Sequence, residues 1–133
     1  MKKNKLVVQQ DYSFILLGIV SSIKEYSLAW HLNQSGVFHF VKAADLHIGF
    51  NNDSEMIISN YICKSEHHTY TLFKNRLIIS SFESPLLLPE LSQFDYFLKL
   101  KSKIDHFDLQ MLVNNLRVID KIDYLARLDI NKI

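Results

Sequence analysis

The sequence is poor in residues that break or staple a chain, with two prolines, three glycines and one cysteine in 133 residues. So few glycines leave no Gly-rich phosphate loop and no G-x-S-x-G turn, which removes the usual nucleotide cradles and the usual serine-nucleophile elbow. The lone Cys63 excludes an internal disulfide and suits a reducing compartment. Long hydrophobic runs are missing too. The longest, Phe14 to Val20, is far shorter than the roughly 20 residues a membrane-spanning helix requires. Nor is there an excess of one charge: 15 Lys and Arg stand against 14 Asp and Glu, a net charge of +1. That balance argues against non-specific nucleic-acid binding, which needs a field of cations. Residues 1–11 are basic and then polar, with no cleavable signal pattern. The expectation is a cytoplasmic protein with no membrane segment, for which nucleic acid is not the main partner.

What is present is a foldable chain. Apolar residues make up 48% and charged residues 22%, so residues 1–133 are expected to form a single domain with a real core. Lys5-Leu6-Val7-Val8 reads as a short strand and Asp11-Tyr12-Ser13 as a turn. Phe14 to Val20 is apolar on both parities. It fits a central strand or the start of a buried helix, and its length favours a strand. Ser22-Ile23-Lys24-Glu25 matches a capping box, which predicts a helix from about Ile23 to Gln34 stopped by Gly36. Tyr26, Ala29, Trp30 and Asn33 share one stripe of that helix, flanked by Leu28 and Leu32. Val37 to Val41 reads as a strand, with a shorter extended piece at Leu46-His47-Ile48 and a turn at Asn51-Asn52-Asp53-Ser54. A three-strand meander is expected from Glu55–Cys63, His68–Phe73 and Leu77–Phe82, with Lys74-Asn75-Arg76 as a tight turn in which Asn75 tolerates positive φ.

Phe94 to Leu100 predicts another long strand, with Phe94, Tyr96, Leu98 and Leu100 on one face and Asp95, Phe97, Lys99 and Lys101 on the other. Asp105 is placed to cap a second helix with Asp108 in its first turn, and Leu109, Leu112, Val113 and Leu116 form that helix's apolar stripe. Ile122, Tyr124, Ala126, Leu128 and Ile130 alternate as a last, half-buried strand. The sum is an α+β fold: a mostly antiparallel sheet of six to seven strands with two helices on one face.

Both prolines fall in one stretch, Pro85-Leu86-Leu87-Leu88-Pro89-Glu90, followed by Leu91-Ser92-Gln93 and then Phe94-Asp95-Tyr96. Proline removes an amide donor and drives the preceding residue towards extended geometry, so this is a stiff lead-in to the strand. The pattern Leu88-Pro89-Glu90, three residues, Phe94-Asp95-Tyr96 resembles the signature of the bacterial IPExxxVDY family. Leu88 stands for Ile and Phe94 for Val, both apolar. Leu17-Gly18-Ile19, Ser22, Glu25-Tyr26, Leu28, Trp30 and Leu32-Asn33 are similar as well, so the resemblance runs through most of the chain. It is weakest at the ends and around Ala43 to Ser54. That family carries no assigned activity, so the resemblance implies a shared fold and no mechanism.

Glu90 and Asp95 form the obvious carboxylate pair. Two such groups can do acid–base work if one is desolvated. Alternatively, Asp95 accepts hydrogen bonds where the chain joins the strand, and Glu90 satisfies amides after Pro89. The structural alternative is the simpler one. Among His31, His39, His47, His67, His68 and His106 no pair has HExxH spacing, so no metal is expected, although His39 and His47 would meet if they lay on neighbouring strands. Cys63 ends an apolar strand and reads as a buried thiol, not a nucleophile. The clusters Lys2-Lys3-Lys5 and Lys99-Lys101-Lys103 read as a solvated tail and the wet face of a strand end. Tyr26, Trp30 and Asn33 either pack the core or form a pocket or partner surface, and Asn33 needs hydrogen-bond partners in either case.

These readings lead to a non-catalytic module with no cofactor, binding an unidentified protein or itself, for instance as a homodimer, through a sheet edge or an aromatic surface. The competing expectation is a small-ligand binder or enzyme whose site gathers Glu90, Asp95, Tyr96 and Trp30. Nucleic-acid binding through Lys99, Lys101 and Lys103 is a weaker third.

Overall fold

Phe14–Val20 is a strand, β1, paired on both edges, and apolar clusters cover both of its faces, Leu17 and Ile19 in one and Leu16 in the other, which explains an apolar run with no polar parity. A computed structural model describes residues 14–50, 54–76, 79–80, 88–103 and 108–129. After β1 come helix α1 (Glu25–Gln34) and strands β2 (Val41–Lys42), β3 (Leu46–Phe50), β4 (Ser54–Ile58), β5 (Asn60–Lys64), β6 (His68–Lys74) and β7 (Ile79–Ser80). A single 3-10 turn, Pro89–Leu91, precedes β8 (Tyr96–Ser102), helix α2 (Leu109–Arg117) and β9 (Tyr124–Leu128). The expectations for Lys5–Val8, Asp11–Ser13, Asn51–Asp53, Pro85–Leu87, Asp105–Phe107 and Ile130 lie outside the described residues.

The fold is α+β. Six strands form one antiparallel sheet in the order β2-β5-β6-β8-β1-β9, and β3-β4-β7 form a second, smaller antiparallel sheet. Both helices cover one face of the large sheet. Leu28 and Leu32 of α1 and Leu112 and Leu116 of α2 pack with Leu17, Ile19, Leu72, Tyr96, Leu98 and Leu100. The opposite face has its own cluster, built on Leu16, Phe94 and Phe97. No helix among the described residues is long and apolar enough to cross a membrane.

The expected meander is not what forms. The run from Glu55 to Cys63 breaks at Ser59, where the chain passes from the small sheet to the large one. Asn60 is fully buried there, its side-chain nitrogen donating to Ala44 O at 2.8 Å while its main-chain carbonyl accepts from Ala43 N at 3.1 Å. Ser59 Oγ donates to Glu25 Oε1 at 2.7 Å. Two polar side chains tied to neighbouring chain hold a crossover that an uninterrupted apolar strand would not make. β6 consequently pairs with β5 and β8, and Ile79–Ser80 pairs with β4 instead of returning along β6.

Five local expectations also change. The capping box is absent: Lys24 is the N-cap, with no side-chain cap bond, and Glu25 is turned to Ser59. Gly36 does terminate α1, with φ of +82°. Val37–Val41 keeps its alternation, Phe38 and Phe40 being buried, but only Val41–Lys42 joins a ladder. Asp108, expected in the first turn of α2, is instead its N-cap, accepting from Met111 N at 3.0 Å. Phe94 precedes β8 and lies on the face opposite Tyr96, against Gly18 of β1, where an added Cβ would come within 2.6 Å of the ring. The last strand also departs from its pattern: Leu125 reaches the helix-side core, Ala126 and Leu128 pack on the other face, and Tyr124 is largely exposed.

Candidate functional site

The Pro-Glu and Asp-Tyr halves of the sequence pattern meet at one corner of the large sheet, and Asn75 holds that corner. Asn75 is 2% exposed. Its side-chain nitrogen donates to Leu91 O and Phe94 O at 3.1 Å each and more weakly to Leu88 O at 3.4 Å, and Oδ1 accepts from Leu88 N at 2.8 Å. One amide thus satisfies several main-chain groups that a tight non-repetitive turn leaves open. The 3-10 turn closes through Leu91 N donating to Leu88 O at 2.9 Å, and Phe94 N donates to Leu91 O at 3.1 Å.

Asp95 and Tyr96 tie this corner to β1 and to the start of α1. Asp95 N donates to Ile19 O at 2.9 Å, Asp95 O accepts from Asn75 N at 2.8 Å, and Asp95 Oδ2 accepts from Ser21 N at 2.9 Å. Ser21 is buried, and its hydroxyl donates to Lys121 O at 2.6 Å. The Tyr96 hydroxyl donates to Ile23 O at 2.5 Å. Burial, with the carboxylates of Glu25 and Asp95 adding to it, pushes the Tyr96 phenol up to about 12. Glu90 is exposed in the 3-10 turn, and among the described residues no amide bonds to its carboxylate, contrary to the expectation drawn from Pro89.

Beside the corner is a hollow of about 390 Å³. Asp95 and Tyr96 line it, together with Lys24, Lys74, Arg76, Ser22 and Ser92, whereas Glu90 and Trp30 do not. The four residues named as one site are therefore not brought together. Lys24, Lys74 and Arg76 make no ion pair within 4.0 Å among the described residues. Nearby, the Glu25 carboxyl is raised above its ordinary value by burial, offset in part by the Ser59 hydroxyl and by Lys42 and Lys74. A second hollow, of about 370 Å³, lies between the two sheets, walled mainly by Leu46, Ile58, Ile62 and Phe73.

The helix stripe divides. Asn33 turns inward to the chain after α1, where Oδ1 accepts from Phe40 N at 2.7 Å and Nδ2 donates to Phe40 O at 3.0 Å. Its amide thus stands in for a neighbouring strand and satisfies the segment that never joins a ladder. Tyr26 and Trp30 point outward, 64% and 57% exposed, while Leu28, Ala29 and Leu32 take the core side. His31 packs edge-on against Trp30, with 5.0 Å between ring centroids.

The remaining candidates separate too. His39 precedes β2 of the large sheet and His47 belongs to β3 of the small one, so they are not on neighbouring strands. No group of three His, Cys, Asp or Glu among the described residues is arranged to hold a metal ion. Cys63 is buried, and its sulfur accepts from His39 N at 3.3 Å. Lys99 Nζ lies 4.7 Å from the Phe14 ring centroid, while Lys101 and Lys103 are exposed.

Sequence reasoning missed Asn75, Ser21 and the three cations as a set. Asn75 read as a turn residue because its partners lie 13 to 19 positions away. No family model matches the chain, and no curated protein or solved structure shows significant similarity to it.

Proposed function

We propose that this chain is a non-catalytic interaction module that seats an apolar segment of a partner protein on the outer face of α1. One observation carries the reading. Tyr26 and Trp30 stand one helical turn apart, both more than half exposed, on a helix whose other face is locked into the core. Rigid, exposed Trp and Tyr are the side chains that anchor protein interfaces, because they bury a large area at small entropic cost. Asp95 and Tyr96 already serve the main chain, which favours binding over acid–base chemistry at the corner. The single reduced Cys63 and the near-neutral charge favour a cytoplasmic setting and a protein partner over nucleic acid. Membership of the IPExxxVDY family belongs to the same proposal, supported by the packing roles of Leu88 and Phe94 and the bonds of Asp95 and Tyr96.

Trp30 is the only tryptophan, so its fluorescence reports on this face directly. With a cross-linker placed at Tyr26, a partner should be captured that blue-shifts Trp30 emission and shields it from acrylamide. A second copy in that position would show as the same shift on raising the concentration of the pure chain. If Trp30 stays fully quenchable both with every captured partner and across the concentration series, the proposal fails.

A further inference from the structure

The hollow beside Asp95 is walled by positive charge. Lys24 stands at the N-cap of α1, Lys74 ends β6, and Arg76 follows Asn75. Three cations thus face one space from two parts of the chain, and none forms an ion pair within 4.0 Å among the described residues. Grouped cations repel one another; among the described residues of the wall they outnumber the Asp95 carboxylate three to one, and of the three only Lys74 acts on the nearby Glu25 carboxyl. The main chain that carries two of them is anchored: Asn75, between Lys74 and Arg76, is buried and bonded at both ends of its amide. The volume, about 390 Å³, is within the range of pockets that enclose small molecules.

Two further features narrow the ligand. Ser22 and Ser92 add hydroxyl donors to the wall, and a tetrahedral oxyanion takes donors from several directions at once. Asp95 is the one carboxylate in the wall among the described residues, and Oδ2 is occupied by Ser21 N. Its remaining lone pairs repel an anion but accept a neutral hydroxyl. We propose that this hollow binds a small phosphate monoester that also carries a hydroxyl group, with the phosphate among Lys24, Lys74 and Arg76 and the hydroxyl donating to Asp95. The site is separate from the α1 aromatic face, so each proposal can fail without the other.

Calorimetric titration of the full chain with glycerol phosphate, inorganic phosphate and glycerol tests it. Glycerol phosphate should bind saturably and more tightly than inorganic phosphate, and glycerol should not bind. Lys74→Gln and Arg76→Gln should each weaken glycerol phosphate roughly tenfold or more, the loss expected for a charge-assisted bond. Asp95→Asn keeps an acceptor for Ser21 N and should erase the margin between glycerol phosphate and inorganic phosphate. Lys24→Gln, at an exposed position, provides a variant whose folding is not at risk, and circular dichroism checks the others. Absence of saturable binding to both phosphates at millimolar concentration overturns the inference. So does binding unchanged by all three charge-removing substitutions, or a margin that survives Asp95→Asn.

Discussion

Asn75→Asp separates two accounts of one residue. A turn residue there would tolerate the change, because Asn and Asp serve turns alike. In the folded chain the side-chain nitrogen instead supplies Leu91 O and Phe94 O at 3.1 Å, and a carboxylate has no hydrogen to give them. It would also set a charge against those oxygens at a position 2% exposed. A buried carbonyl left without a donor costs about 1–3 kcal/mol. Leu88 and Leu91 are half-buried, so water recovers part of their share, and Phe94 O carries most of the loss. Asn75→Ala should therefore cost about 2 kcal/mol, and Asn75→Asp about 4 kcal/mol at neutral pH once the buried charge is included. For a domain of this size 1 kcal/mol moves the thermal midpoint by roughly 3–5 °C. The expected falls are about 6–10 °C for Asn75→Ala and about 12–20 °C for Asn75→Asp. Far-UV circular dichroism during thermal and urea unfolding measures both. The pH dependence has a definite sign. The new carboxyl binds its proton more tightly in the folded chain than in the unfolded one, so the Asp variant should regain stability as pH falls towards the ordinary carboxylate range. An Asn75→Asp variant within about 1 kcal/mol of the parent at pH 7 would refute the reasoning.

Two further predictions rest on the same corner. Tyr96→Phe leaves Ile23 O without its donor and should cost about 1 kcal/mol. Because the Tyr96 phenol is raised from 10.0 to about 12, the folded chain keeps a proton that the unfolded chain releases. That contribution is intact below pH 10, is lost as pH climbs towards 12, and should be missing in Tyr96→Phe. Ultraviolet titration of the phenols decides it, and a parent protein with no phenol ionising late would contradict the prediction. Gly18→Ala puts a methyl group 2.6–2.8 Å from the Phe94 ring, which is itself stacked on Tyr124 with centroids 6.4 Å apart. A loss of about 1–3 kcal/mol is expected, as for other overpacked sites. Phe94→Leu should couple to it in a double-mutant cycle, and strict additivity would show that the ring yields freely.

Much of the fold was legible because it follows from periodicity. The double-parity run Phe14–Val20 gave a central strand, Leu109, Leu112 and Leu116 of the expected stripe gave the inner face of α2, and Gly36 marked the end of α1. What was not legible depends on partners remote in sequence. Glu25 was read as a local cap, yet its carboxylate takes the hydroxyl of Ser59, 34 positions away. A Ser-x-x-Glu pattern does not reveal a competing donor between two remote strands. The crossover at Ser59 was hidden likewise, because the strand on each side is apolar and only the burial of Asn60 separates them. Phe94 was placed one face out because strand alternation was extended into a turn, where side-chain direction is set by the path of the chain and not by a pleat.

The candidate site shows the same division. Leu88-Pro89-Glu90 and Phe94-Asp95-Tyr96 each carry one acid at a fixed spacing, which invited the reading of a carboxylate pair. The three-residue spacer has a plainer origin. It allows Phe94 N to reach Leu91 O and the Asn75 amide to span Leu88, Leu91 and Phe94. With the turn so closed, Phe94 drops onto Gly18, Asp95 meets the amide of Ser21, and Tyr96 opens β8 under α1. Glu90, on the outside of the same turn, shares none of this. The spacing is thus set by main-chain geometry, and the two acids are neighbours in the pattern without being partners in a site. The cations Lys24, Lys74 and Arg76 carry no signature at all, being separated by up to 52 positions of chain (76 − 24). Only the pairing of β6 with β8 and of β8 with β1 brings the ends of those strands, and so the three charges, around one space.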